Sequence, residues 1–430
     1  MKYPTLSKNP RIKFFWENVD EGHIRGLTAI RLHLQQITGD FMTIMKLEEI
    51  PFMHWGIITK YNFSPEYVRY IPRKRWDPLT SVEIKLYDEI TRQLVGIGKR
   101  KGHFSYISPI RGKRPKGEKV VRDVFQKIIT GEDHAIFIAI DDKVKSDPFS
   151  LTPELLNVEN SKAVTIVNRF PATVRYIDRE ILEKVRPLIE DEFTRIAFGI
   201  NLITFPTRYY ETLSDAHIED LVAMFKSVRT AINKVAEVAR KRGIDLLPVY
   251  PFFNIGPMAG GSQPRLHSQV YIDLNLDGHG ALMENILQAF DEMRNRGICY
   301  LCTSKHNSRI VYENSTWIVW TSLSPRRNYH LRLAPKRHVE IFTELDDFEL
   351  EGLSDALIRV SRGLDKLNVE RNRNVLIYSN PIGYNSIFHL YIDFIPFEKI
   401  GGIEMLDSCR VARIAPEDVA AELRNVVKEI

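Results

Sequence analysis

The chain has 430 residues, 44% of them hydrophobic and 27% charged, with a formal net charge of +5 at neutral pH. That is ample apolar material for a large core, and the mild positive balance suits anionic ligands without demanding nucleic acid. No apolar run approaches the ~20 residues that span a bilayer, and residues 1–13 lack the apolar centre of a signal peptide, so no membrane partner and a cytoplasmic setting are expected. Cys299, Cys302 and Cys409 are too few for a disulfide framework. The close first pair suits metal or redox chemistry in a reducing compartment.

Three segments follow in chain order. Residues 1–98 read as an N-terminal extension of unknown role, an interface or a lid. Arg73-Lys74-Arg75-Trp76 and the run from Lys99 to Phe104 interleave cations with aromatic rings, a pattern compatible with stacking on single-stranded nucleic acid. Charge runs are more often solvated loops, so nucleic acid is not the expected partner.

Residues 99–280 and 281–430 repeat one pattern. In the first copy, strands are predicted over 163–168 and 199–205, closed by Pro206-Thr207-Arg208-Tyr209. A helix over 215–242 follows, with Ser214 as its cap and Leu221, Phe225, Val228 and Ile232 on one face, then strands over 247–255 and 268–274. A helix over 281–296 joins the copies. The second copy has a hairpin, 309–313 with 316–322, turning at Asn314-Ser315, and a strand over 329–334 closed by Pro335-Lys336-Arg337-His338. A helix over 349–367, strands over 375–379 and 387–395, and a terminal helix opened by Pro416 complete it. Two α+β units, each a mainly antiparallel sheet with a long helix packed on it, are the simplest architecture.

Chemistry concentrates between Phe252 and Gln269. Gly256, Gly260 and Gly261 let the backbone come close to a bound group, and amide donors in such a turn can cradle phosphate oxygens. His267 and Gln269 are two apart and share a strand face, so one can attack phosphorus while the other donates to its oxygens. Ser262 and Asn254 are placed to assist. The plain alternative is a glycine turn followed by a satisfied histidine and glutamine.

These residues resemble the galactose-1-phosphate uridylyltransferase family, the transferase branch of the histidine triad superfamily. The fingerprint is Phe252, Asn254 and Gly256, then Gly260, Ser262 and Pro264, then His267 and Gln269. The likeness extends upstream to the arginine-bearing run Ser108 to Pro115, with Arg111 and Arg114 as phosphate cations. Downstream it takes in Ser308 to Asn314 with Trp317, Pro335 to His338, Gly402 to Met405 and Pro416 to Arg424. The resemblance implies duplicated histidine-triad-like units, a homodimer, and ping-pong transfer of a nucleoside monophosphate between a nucleotide sugar and a sugar 1-phosphate. His267 would be the nucleophile and Gln269 the phosphoryl donor; glutamine here, where hydrolase branches carry histidine, favours transfer over hydrolysis.

Departures from the family pattern are informative. Its first-half metal ligands are missing, with Tyr209 and Arg265 at two of their places, so no metal is expected there and Arg265 is a candidate phosphate cation. Asn168 keeps the asparagine of the ribose motif, but Arg169 replaces the aspartate. Glu404 stands where a hexose acceptor is expected, and Arg410 near an expected glutamine. In the second half, Cys299, Cys302 and His338 suit tetrahedral zinc, with His389 or Asp393, or less aptly Tyr391, as the fourth ligand; a buried pair of thiols is the alternative. Adenylyl transfer or phosphorolysis, or a non-catalytic binding protein that keeps the fold, are the competing readings.

Overall fold

The computed structural model describes residues 54–80, 82–87, 94–101, 103–113 and 123–430; Arg114 lies outside them. The first unit supplies Phe137–Ile140 (β1), Lys143–Val144 (β2), Ala163–Val167 (β3), Gly199–Pro206 (β4), Val249–Ile255 (β5) and Ser268–Asp273 (β6). The second supplies Ile310–Glu313 (β7), Trp317–Thr321 (β8), Leu331–Pro335 (β9), Arg373–Tyr378 (β10) and Tyr391–Pro396 (β11). Among the described residues these eleven strands form one sheet, in the order β7-β8-β9-β11-β10-β5-β6-β4-β3-β1-β2. Every pairing within it is antiparallel.

The repeat is therefore real, and the two copies are fused. Strand β5 pairs with β10, Phe252 opposite Leu376 and Asn254 opposite Asn374, so the sheet runs unbroken across the joint. Alternation sets the two faces: Val249, Phe253, Ile255, Val270 and Ile272 are buried in one core, while Tyr250, Phe252, Asn254, Gln269 and Tyr271 point the other way and are half-buried.

Two long helices cover the first of these faces, Ile218–Lys241 (α2) and Asp347–Lys366 (α4). Leu221, Phe225, Val228 and Ile232 of α2 and Leu350, Leu353 and Leu357 of α4 belong to that core. Each such burial stabilises by about 1.5–3 kcal/mol. The short helix Val124–Ile129 (α1) lies on the opposite face, where Phe125 stacks on Phe205 with ring centroids 4.5 Å apart. Ala281–Asn295 (α3) links the units, and Gly402–Asp407 (α5) and Pro416–Val427 (α6) end the chain. No helix among the described residues is long and apolar enough to cross a membrane.

Three local expectations need correction. Ser214 does not cap α2, which starts at Ile218 behind His217; its hydroxyl reaches Asp365 at 2.5 Å and Ser361 at 3.1 Å, so partners from the second unit outcompete the local cap. Helix α4 begins two residues early because Asp346 accepts from the Glu349 amide at 2.8 Å and Glu349 accepts in return, a capping box. Strand β11 starts at Tyr391 rather than 387, leaving His389 ahead of the sheet.

The cation-aromatic run at residue 73 is internal. Arg73–Trp76 is a strand between Thr194–Ile196 and Phe104–Ile107. Lys74 is fully buried, 3.0 Å from Asp273 and 2.8 Å from Asp277, with its ammonium over the Trp76 and Phe104 rings. A lysine held this way cannot meet a nucleic acid backbone.

Candidate functional site

His267 is the residue immediately before β6, and its ring packs 5.5 Å from Phe125 of α1. Its Nδ1 lies 2.8 Å from the Arg265 carbonyl oxygen. A carbonyl only accepts, so Nδ1 carries the proton and Nε2 keeps its lone pair. Burial lowers the ring's pKa from the ordinary histidine value. The imidazole is thus neutral at cellular pH, with its lone pair on Nε2.

The glycine turn holds its shape by closing on itself. Gly256 and Gly260 have φ of +79° and +90°. The Gly261 amide donates to the Gly256 carbonyl at 2.9 Å, the Gly260 amide to Pro257 at 3.1 Å, and the Met258 amide to Asn372 Oδ1 at 2.9 Å. A side chain at Gly261 would sit 2.6 Å from the Asn254 carbonyl. The glycines answer to backbone crowding, and these three amides are committed within the protein rather than free to cradle phosphate. Asn254 belongs to the same scaffold: its Oδ1 accepts from Asn374 at 2.8 Å, and Asn374 also donates to the Ala259 carbonyl at 3.0 Å. Asn372 and Asn374 are second-unit residues that the sequence did not single out. Ser262 is exposed just past the turn.

Arg265 is a correction. It is 1% exposed, with its guanidinium 2.7 Å from Asp123, 2.9 Å from Gln126, and donating to the carbonyls of Pro206 and Thr207. Tyr209 lies against it, 5.2 Å from ring centre to guanidinium carbon. These contacts leave no face for a phosphate, and the ion pair occupies the ground where the resemblance places two metal ligands. Asp123 also caps α1 through the Phe125 amide. Arg265→Met should therefore cost stability near the lower end of about 3–5 kcal/mol, because it strands a largely buried carboxylate. Urea unfolding checks this; an unchanged midpoint would refute it.

Arg111 does reach the sheet face that carries His267 and Gln269. Its Nη1 donates to the Tyr271 hydroxyl at 2.6 Å, and Tyr271 lies two residues past Gln269 on the same side of β6. Asn168 is buried at the end of β3, its Oδ1 accepting from the Phe170 amide at 2.9 Å. Arg169 beside it binds Asp133 at 2.7 Å. Glu404 and Arg410 meet each other in the second unit, 3.7 Å apart, with Glu404 also on Arg327 and Arg410 on Glu398 at 2.5 Å. None of these contacts of Asn168, Arg169, Glu404 and Arg410 touches β6.

The second unit gathers Cys299, Cys302, His338 and His389, with ligand atoms all within 4.8 Å of one another. His389 Nδ1 is 3.4 Å from both sulfurs, and His338 Nδ1 is 3.3 Å from Cys302 Sγ. Tetrahedral zinc bonds imply a sulfur–nitrogen edge of roughly 3.6 Å. His389 Nε2 donates to the Pro335 carbonyl at 3.1 Å, which orients Nδ1 toward the cluster. Burial and His338 bring His389 down to about 4, so it is a neutral ligand. Burial and the adjacent Cys299 push the Cys302 thiol up to about 11, a shift that a bound cation reverses. Asp393 is not part of this set. It is fully buried between Arg332 at 2.7 Å and His330 at 3.1 Å. Tyr391 turns away as well, stacked on Tyr378 at 4.6 Å.

Register relates the two units residue by residue. Thr204 opposite Ser268 carries Pro206 opposite Leu266, and Leu333 opposite Ile392 carries Pro335 opposite Leu390. Arg265, His267 and Gln269 thus correspond to His389, Tyr391 and Asp393. The first unit has His267 and Gln269 and lacks the cysteines; the second has the cysteine pair, with Tyr391 and Asp393 at the corresponding places.

A HIT domain model matches residues 303–399. The ADP-glucose phosphorylase of Arabidopsis thaliana is 24% identical over 311 residues, 66% of this chain and 83% of its own. The galactose-1-phosphate uridylyltransferase of Thermotoga maritima is 24% identical over 194 residues, 42% of this chain and 61% of its own. A solved uridylyltransferase structure, 19% identical, covers 83% of this chain and 99% of its own with a TM-score of 0.59, a likeness of fold. The chain belongs to the histidine triad superfamily. Within this HIT protein the matched model falls on the second unit, while His267, in the first, lies outside it.

Proposed function

We propose that the chain is a nucleotidyltransferase that passes a nucleoside monophosphate from a nucleotide sugar or related nucleotide to a phosphate-bearing acceptor, such as a sugar 1-phosphate, through a covalent nucleotidyl-histidine. The observation that carries this is the His267 ring, held at Nδ1 by the Arg265 carbonyl and kept neutral by burial, which leaves the lone pair on Nε2. Nε2 attacks the α-phosphorus; an N–P bond forms, the P–O bond to the far phosphate breaks, and its electron pair leaves with that oxygen. Positive charge appears on the ring as the bond forms, and the Nδ1–H bond to the Arg265 carbonyl strengthens with it. An acceptor phosphate oxygen then attacks the same phosphorus and restores the neutral imidazole. Gln269 and Arg111 stabilise the phosphoryl oxygens.

A second reading, adenylyl transfer or phosphorolysis, is supported by the ADP-glucose phosphorylase likeness, more extensive than the uridylyltransferase one, and by Arg169 at the place of the ribose aspartate. Intact-mass measurement after incubation with UDP-glucose, ADP-glucose or ATP decides between them. An added uridylyl or adenylyl mass names the nucleotide, and no adduct with any donor would remove the covalent reading.

The four-residue cluster fits zinc in chemistry and spacing, and its place away from β6 makes the ion structural: it would hold the 299–302 segment to the ends of β9 and β11. A homodimer is supported by the apolar side chains that α5 and the loop after it expose, Met405 at 75%, Leu406 at 82% and Val411 at 74%. Free thiols at Cys299, Cys302 and Cys409 fit a reducing, cytoplasmic compartment.

A further inference from the structure

The joint between the units lies beside His267. The register that sets Phe253 opposite Ser268 carries Asn254 opposite His267, and the β5–β10 pairing sets Asn254 opposite Asn374. Alternation turns Asn254 and Asn374 to the face that bears Gln269. His267, Asn254 and Asn374 therefore form one row across three strands, with neighbouring strands about 4.8 Å apart.

Hydrogen bonding within this row decides which way each amide points. Asn374 Nδ2 lies 2.8 Å from Asn254 Oδ1 and 3.0 Å from the Ala259 carbonyl oxygen. A carbonyl only accepts, so the Ala259 contact identifies the amino end of Asn374, whose two protons go to Ala259 and to Asn254. Asn254 must then meet it with oxygen. Its own amino group is turned to the other side, toward Gly260, where an added Cβ would lie 3.3 Å from the nitrogen. Among the described residues no acceptor meets Asn254 Nδ2, and the residue is half-buried, so its N–H groups are uncommitted on the face of His267.

Without Asn374 the Asn254 amide has no such preference. Its two ends are close in size, and the torsion that exchanges them is broad and roughly two-fold. With oxygen forward, Asn254 would repel a phosphoryl oxygen instead of binding it.

We propose that Asn374, in the second unit, is a positioning residue for the reaction at His267. It holds the Asn254 amide nitrogen forward, so that Asn254 donates to a non-bridging oxygen of the α-phosphoryl group as charge gathers there. The proposal rests on the His267 reading and adds to it a donor whose direction is set by the other unit. The bond changes are those above: the N–P bond forms at His267, and the electron pair leaves with the far phosphate oxygen.

A double-substitution cycle, read by rapid-quench adduct formation with the donor that labels the wild type, tests this. Asn374→Leu, close in size and without a polar group, should lower the maximal rate at least ~10-fold and move the half-saturating donor concentration no more than about threefold, because the lost interaction strengthens in the transition state. Asn374→Asp presents only acceptors, turns the Asn254 amide around, and should lose more. Asn254→Ala removes the group through which Asn374 acts. On that background each Asn374 substitution should cost less than about twofold. A general loosening of the turn at Ala259, or a charge effect of Asn374→Asp, would cost as much on either background. Equal losses on the two backgrounds therefore overturn the proposal, as does a wild-type rate in Asn374→Leu. If no donor labels His267, the covalent reading fails, and calorimetry with ADP-glucose and UDP-glucose still decides the brace. Binding about threefold weaker in Asn374→Leu, with no further weakening when Asn374→Leu is added to Asn254→Ala, supports it; equal affinities in wild type and Asn374→Leu overturn it.

Discussion

His267→Gly is expected to form no nucleotidyl adduct with any donor and to lower turnover on the order of 10⁴-fold or more, because no other side chain can take over the bond to phosphorus. Folding should survive, since the ring donates a single hydrogen bond, from Nδ1 to the Arg265 carbonyl, and Arg265 itself is anchored independently through Asp123, Gln126, Pro206 and Thr207. The wild-type pH profile follows from the depressed pKa. Protonation removes the Nε2 lone pair, and burial moves that protonation below the usual ~6.5. Adduct formation should be flat through neutral pH and fall only on the acid side of 6.5. Rapid-quench labelling from pH 5 to 8 checks this. A rate that climbs steeply between pH 6.5 and 8 would mean that the imidazole is protonated at rest and that its neutral form is not the poised one. An adduct persisting in His267→Gly would place the nucleophile elsewhere.

Cys302→Ala should bind no metal where the wild type carries one equivalent of zinc. It should also unfold at a temperature close to that of chelator-treated wild type. A metal held by the native state alone stabilises by about 4 kcal/mol when its concentration is a thousandfold over Kd. The loss should be large because the four ligands come from distant parts of the second unit: 299 and 302 before the first hairpin, 338 past β9, and 389 ahead of β11. Elemental analysis with thermal unfolding measures both. Wild type purified with excess zinc yet holding none, or a variant melting like wild type, would leave the two sulfurs as an ordinary thiol pair.

Much of this site could be read in the chain. The alternation of 249–255 and 268–273, the apolar stripe of α2, and the paired prolines at 206 and 335 prescribe two similar antiparallel units, because side-chain period is a local property of strand and helix. The shared face of His267 and Gln269 was legible for the same reason, as was the grouping of Cys299, Cys302 and His338 once thiolate spacing was set against zinc geometry. Arg265 was not. A cation two residues before a nucleophile reads equally as a phosphate ligand or a buried ion pair until Asp123 and Gln126 are seen against it. Nor was Asp393, whose alternation with His389 ended when Arg332 and His330 claimed its carboxylate and His389 dropped out of the strand.

By itself the sequence determined which residues could do chemistry and which face of each element they would occupy. The tertiary structure decided their partners: that Asn372 and Asn374 brace the glycine turn of the other unit, that Lys74 is sealed between Asp273 and Asp277, and that one sheet continues across β5 and β10. Those pairings join residues a hundred or more positions apart. Pattern along the chain fixes orientation over a few residues, whereas contact at that separation is set by how whole sheets and helices pack.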